Sequence, residues 1–358
     1  MTAAGLLCLA VHAWGDAGFG AGQGLDVEEF LSEARAGAAP EMPAGRSRAR
    51  PQADPAEELF AKAMADQIRR YPIGKRLIEG MPSLPEVSFV DLGVGIFGRL
   101  DLETRAIQMN TLQLSQAALS LDAAAGPGDL RDPAALKSFL AAQPRLVEGI
   151  VDLVDSYYIH ELAHAAQYAA LGDDWWGPGT PDSPLGEWDA FETQALYFHE
   201  KVALNPAYLD SEFVPSDYLA YVYADDLSQY RRAKAAIYSH RAPSDGKLAP
   251  GVWEYYGGRL EESERRWPRT GYEGCMLLAG KSVESGDVSR ALMFLDSAYK
   301  KARRHGFLGE REREEIGVLL EKACHGLGRS LEAGLGFREA LALRRLAALF
   351  PERCGRTQ

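Results

Sequence analysis

Five consecutive residues, His160-Glu161-Leu162-Ala163-His164, set two imidazoles four positions apart with a carboxylate beside the first. On a helix, side chains at i and i+4 share one face, so both rings can reach a single ion. Neutral imidazole nitrogen suits Zn²⁺, which takes a roughly tetrahedral set of ligands. Glu161 then stands to the side of that face, near the position where a water completes the set. Zinc lowers the pKa of such a water, and the carboxylate accepts its proton as it attacks a carbonyl. The chain has only seven histidines, so the pattern is not a by-product of abundance.

A catalytic zinc needs a third protein ligand and one open position. Two glutamates on a helix expected over 187–203 offer themselves. Glu187 lies 23 residues beyond His164, room for a loop and a return of the chain, and Glu192 stands two turns before His199. Both fit the ligand chemistry. The residues after His164 read Ala-Ala-Gln-Tyr-Ala-Ala, which excludes the extended three-histidine motif of the metzincins. Charge developing on the former carbonyl oxygen calls for a donor near the metal, for which Tyr168, Tyr197 and His199 are candidates. Asp189 is the nearest carboxylate in sequence that would orient an imidazole.

The motif with Glu187-Trp188-Asp189-Ala190 downstream resembles the gluzincin-like metallopeptidases over about Ala56 to Ala203. Glu187 falls on the E-x-(D/E)-A pattern of small zincins, so the resemblance makes it the third ligand, with Glu192 as the alternative. It also implies a peptide or protein substrate, held along an edge strand before the active helix. Glu161 would then act as base and afterwards as proton donor to the leaving amine.

The elements that must position these residues are legible in outline. Asp54-Pro55 can cap and open a helix through AEELFAKAMADQIRRY. After Pro85, VSFVDLG and FGRLDLETRAIQMN alternate as strands about a turn at Glu103-Thr104-Arg105, a hairpin or meander. Gly93, Gly95 and Gly98 fall between strands with no helix following, so they form no dinucleotide fingerprint. Asp132-Pro133 opens a helix through Leu140. Pro144 restarts one towards Gly172, with Val147, Ile150, Val151, Val154, Tyr157 and Tyr158 at three- and four-residue steps. Trp175-Trp176 lie in the following loop, as a cleft floor or a core anchor. Residues 215–240 form an aromatic-rich helical region whose Tyr218, Tyr221, Tyr223 and Tyr230 read as packing.

From about Gly271 the pattern changes to paired amphipathic helices. Ser282–Ala298 is echoed in Ser330–Ala347 at an offset of 48 to 49 residues. This resembles tetratricopeptide-type hairpins, although the usual period is about 34 residues. The run Glu310–Glu315 reads as a solvated face with internal ion pairs. The fold class expected is therefore α+β: a zincin-like domain with a small β-meander, an active-site helix and a glutamate helix, followed by an all-α helical-hairpin region. Boundaries are expected at 1–20 for a signal-like segment, 21–55 for an Ala/Gly/Pro-rich linker, 56–265 for the peptidase domain and 266–353 for the hairpins.

A net charge of −12 argues against nucleic-acid binding, which needs a basic face. No run is long enough to span a membrane. Ala3 to Trp14 is small and apolar with Val11-His12-Ala13 as a cleavage-like end, so the reading leans towards export, to the periplasm or outside the cell. Among Cys8, Cys275, Cys324 and Cys354 no zinc-finger spacing occurs, and Cys275 with Cys324 is one conceivable disulfide. The function expected is a zinc-dependent peptidase. The alternative is an inactive zincin-like scaffold whose helical repeats bind a protein partner.

Overall fold

The structure is a computed structural model that describes residues 54–122, 130–172, 184–238, 250–327 and 335–354. The signal-like segment, the linker up to Ala53 and Trp175-Trp176 lie outside them. Helix α1 (Pro55–Ile68) starts where the sequence places it: the Asp54 carboxylate accepts from the Ala56 N–H at 2.9 Å, and Pro55 takes the first turn. Its apolar stripe, Phe60, Met64 and Ile68, is fully buried. Helix α2 (Pro72–Glu79) follows directly.

The three strands are β1 (Val87–Val90), β2 (Gly98–Leu100) and β3 (Ile107–Asn110). β2 and β3 form the expected hairpin, closed by Arg105 at φ 65° and by the Asp101 carboxylate accepting from the Glu103 N–H. The sheet is not a meander, however. Its order is β1-β3-β2, with β1 parallel to β3. The crossing segment turns on Gly93 and Gly95, both at positive φ. The Asn110 amide ties that segment down by donating to the carbonyls of Gly93 and Ile96. β2 is thereby carried across β3 and, among the described residues, pairs with no strand on its other edge.

Side-chain caps then define the next helices. Asn110 caps α3 (Thr111–Leu121) and Asp132 caps α4 (Pro133–Ala142). Helix α5 (Pro144–Leu171) carries the motif and ends at Gly172 with φ 56°. Helix α6 (Pro184–Leu204) returns alongside it. The aromatic-rich region splits into α7 (Ser216–Tyr223) and α8 (Leu227–Tyr238), with Tyr218, Tyr221 and Tyr230 buried as packing. Next come α9 (Pro250–Glu284) and α10 (Val288–Arg304), then α11 (Glu310–Leu327), α12 (Phe337–Leu349) and the one-turn α13 (Pro351–Cys354).

A mostly helical α+β chain results. One core joins α1, the sheet and α5 through Phe60, Ile107, Leu114, Val151 and Ile159. A second, around Leu292, Leu295, Ile316, Leu320 and Leu346, unites the C-terminal helices. The aromatic residues of α7 and α8 join α6 to α9 between them. Residues from Asp54 onward cluster as one unit, and position 265/266 falls inside the continuous helix α9. Cys275 is a free, buried thiol and Cys324 is disulfide-bonded, so the pair Cys275–Cys324 does not form. In the acidic run, Arg311 pairs with Glu315 within the helix, while Glu312 accepts from Arg269 of α9.

The α5–α6 contact has a charged heart. Asp155 of α5 is fully buried and takes Lys201 of α6 at 2.8 Å, with the Tyr197 hydroxyl and the Gln67 amide donating to the same oxygen. Burial pushes the Asp155 carboxyl above its usual range, although Lys201, Tyr197 and Gln67 all pull it down. Such a pair is costly to break from one side, because the partner stays buried and uncompensated. Lys201→Met should therefore lower the unfolding free energy by about 3–5 kcal/mol in urea titration, and Asp155→Asn with Lys201→Met together by less than the two singles summed.

Candidate metal centre

Helix α5 buries Val147, Ile150, Val151, Val154, Ile159 and Leu162 against the first core, which fixes its rotation. That rotation turns His160 and His164 towards α6. Glu187, in the first turn of α6, faces them. The Nε2 atoms of His160 and His164 lie 3.2 Å apart, and the Glu187 carboxylate oxygens lie 3.6 Å from the first and 3.8 Å from the second. One ligand atom from each of the three residues falls within 4.8 Å of the others, a grouping that could hold a metal ion. Each side chain keeps roughly an eighth of its surface exposed (12–13%), so the group is sheltered yet open on one side.

Hydrogen bonding decides which atom of His164 faces the cluster. The Gln167 amide nitrogen donates to the Gly186 carbonyl and the Asp189 carboxylate, both at 2.9 Å. Its oxygen is therefore the acceptor 3.0 Å from His164 Nδ1, which must carry the proton. The Nε2 lone pair is left pointing at His160. Asp189 in turn takes the Arg259 guanidinium at 2.7 Å. Asp189 thus orients an imidazole as expected, but through Gln167. The Nδ1 of His160 is buried and has no partner among the described residues.

Two nitrogen lone pairs at this distance repel unless a proton or a metal cation lies between them. Ligands bound about 2.0–2.1 Å from a tetrahedral zinc stand roughly 3.3 Å apart, close to the separations found. The donor set, two imidazoles and a carboxylate with one side open, fits a divalent first-row ion. Burial pushes the His160 pKa down, but the Glu187 hydrogen bond and the fields of Glu161 and Glu187 outweigh it, leaving it above the usual value.

Glu161 belongs to the strand as much as to the helix. In the β2–β3 ladder, Asn110 N–H donates to Phe97 and Asp101 N–H to Ala106, so residues 97, 99 and 101 face β3. Gly98 and Leu100 consequently turn their main-chain groups to the other edge. There the Leu100 N–H donates to Glu161 Oε2 at 2.9 Å. A Cβ on Gly98 would sit 3.0 Å from Glu161 Cγ, so a larger residue there would press on that side chain. Phe97 stacking on Tyr157 at 3.7 Å keeps strand and helix aligned.

Other expected residues go elsewhere. Glu192 is gripped by Arg231 of α8 at 2.7 and 3.1 Å and takes no part in the cluster. His199 meets the Tyr218 hydroxyl and Glu273, and Tyr197 serves the Asp155 pair. Tyr168 lies under the Arg105 guanidinium at 3.5 Å. In their stead the fold brings Phe191, whose ring is 4.3 Å from that of His160, and Lys234 of α8, its ammonium 4.0 Å over Phe191. Burial draws Lys234 down to about 8, with Glu187 opposing, and Asp217 is its ion-pair partner. Sequence reasoning missed both. Gln167 was within its reach, since i+3 from His164 is the same helix face.

Compared with known protein families, curated proteins and solved structures, the chain finds no match. The ligand assignment can be tested directly. Glu187→Ala should abolish stoichiometric zinc binding in metal analysis, while Glu192→Gln should retain it. Gln167→Ala should weaken affinity by about 10–100-fold in chelator competition, as loss of an orienting partner does.

Proposed function

We propose that this protein is a zinc-dependent peptidase in which His160, His164 and Glu187 hold the metal and Glu161 activates water. The observation that carries the reading is the convergence of those three ligands beside a carboxylate anchored to an edge strand. Bound zinc would supply Lewis acidity, lowering the pKa of a water and polarising a carbonyl. Glu161 Oε1, with Oε2 held by Leu100, would take the water's proton and later deliver it to the leaving amine. The edge of β2 supports a peptide substrate: an extended chain can pair with the outward main-chain groups of Gly98 and with the Leu100 carbonyl, while the Leu100 N–H stays on Glu161. Its carbonyl would then lie next to Glu161.

The C-terminal hairpins would dock a protein partner. Phe337 and Leu341, one turn apart on α12, are exposed apolar residues that suit such a role. The disulfide at Cys324 supports an exported protein, since such bonds persist in oxidising compartments.

Metal analysis and peptide hydrolysis should be read together. Wild type and Glu161→Gln should each carry about one zinc, and His160→Ala none. Hydrolysis should fall by about 10²–10⁴-fold in Glu161→Gln and vanish in His160→Ala. A folded wild type that binds zinc but cleaves no peptide in a diverse library would favour the inactive scaffold. Gly98→Ala separates the base from the metal: zinc content should stay, while turnover drops at least tenfold as Glu161 is displaced.

A further inference from the structure

The two imidazoles of the cluster are held by different means. His164 is tied through Nδ1 to Gln167, which is itself fixed by Gly186 and Asp189. His160 has no such tie, because its buried Nδ1 makes no hydrogen bond among the described residues. The last torsion of a histidine side chain is broad, so a ring without a hydrogen bond takes its tilt from what packs against it. That tilt matters at this position. It aims the Nε2 atom, which lies 3.2 Å from that of His164 and 3.6 Å from the Glu187 carboxylate.

The packing on His160 is built from three other helices. Phe191 stands one turn after Glu187 on α6, so the aromatic ring and the third ligand share a helix face. Its centroid lies 4.3 Å from that of the imidazole, with the planes inclined at 53°. The Lys234 ammonium of α8 sits 4.0 Å over the Phe191 ring, and 5.8 Å from the ring of Tyr230 one turn earlier. Lys234 is 6% exposed, and Asp217 of α7 is its ion-pair partner. A buried ammonium is costly unless it is paired, and the pair fixes the charge against the aromatic face that attracts it. Phe191 therefore cannot turn without losing its cation, nor Lys234 move without losing its carboxylate. Asp217, Lys234 and Phe191 do for His160 what Arg259, Asp189 and Gln167 do for His164.

We infer that Phe191 and Lys234 are positioning residues that set the tilt of the His160 imidazole, and with it the affinity of the cluster for a divalent first-row ion; this rests on the metal-binding half of the proposed function and not on peptide hydrolysis. A stack of this kind holds the ring through its face and leaves its nitrogens to the ion.

Two measurements on the full-length protein test this without turnover: Zn²⁺ affinity by chelator competition, and the visible spectrum of the Co²⁺-loaded form. Wild type should bind about one Zn²⁺ per chain. A wild type that binds none overturns both this inference and the metal site. Phe191→Leu keeps an apolar side chain but removes the ring, and should weaken Zn²⁺ binding about five- to tenfold, with a shift in the Co²⁺ bands as the ligand geometry changes. Lys234→Met alone would strand Asp217, so it is combined with Asp217→Asn, and that variant should lose a similar factor. Because the ring carries the effect, adding Phe191→Leu to it should cost little further affinity. Fully additive losses would mean that the ammonium acts on Glu187 through its field, and would overturn the inference. Wild-type affinity and an unshifted Co²⁺ spectrum in Phe191→Leu would overturn it too, while leaving the metal site standing. Should Phe191→Leu not fold, the variant lacking Lys234 and Asp217 decides by the same two readouts.

Discussion

The geometry of the candidate metal site depends on how α5 and α6 are locked against each other. The imidazoles belong to one helix and the third ligand to the other, so sliding by a residue would move a ligand about 1.5 Å and rotate it by about 100°. Two polar locks prevent this. At one end Asp155 grips Lys201 inside the core, and at the other Gln167 bridges His164 to Gly186 and Asp189. The first lock resists separation because Lys201 is held at once by Asp155 and Asp152 of α5 inside the core. The second sets the direction of a ring. Together they convert two amphipathic helices, which hydrophobic packing alone would place loosely, into a pair with a defined axial and rotational setting.

The same logic separates what was legible in the sequence from what was not. His160, Glu161 and His164 could be read because their relation is internal to one helix, where spacing is geometry. The choice between Glu187 and Glu192 could not. Five residues apart, they point roughly 140° from each other around α6, and which one faces α5 depends on the rotation set by tertiary contacts. Arg231, on another helix, captures Glu192, and Glu187 is the one left facing the two imidazoles. Lys234 is likewise a product of chain return, and no local pattern announces it. Helix starts were readable wherever an Asp or Asn cap precedes the first turn, as at Asp54, Asp132 and Asn110.

The sheet shows a subtler limit. Alternation found the strands and their turn, but pairing order is a matter of which edges meet. The tie from Asn110 to Gly93 and Ile96 brings β1 to the far side of β3. Strand alternation carries no signal of this, because a meander and the observed order bury the same residues. The consequence is functional geometry: β2 is outermost and beside α5, where its main chain meets the carboxylate of Glu161.

Helix α9 has a mechanical meaning beyond its packing. Its 35 residues extend about 52 Å, and within it Arg259, which supports Asp189, and Lys281, which pairs with Asp210, lie about 33 Å apart. It behaves as a beam that spans the half bearing the His160–His164–Glu187 cluster and the hairpins, so neither can be trimmed away without cutting into a continuous rod. Pro268 lies near its middle and cannot donate to the Glu264 carbonyl, which makes that point the beam's most compliant section. A load applied to the hairpins by a docked partner would flex the beam there and pull on Arg259. From Arg259 the strain passes to Asp189, to Gln167 and to the tilt of a single imidazole.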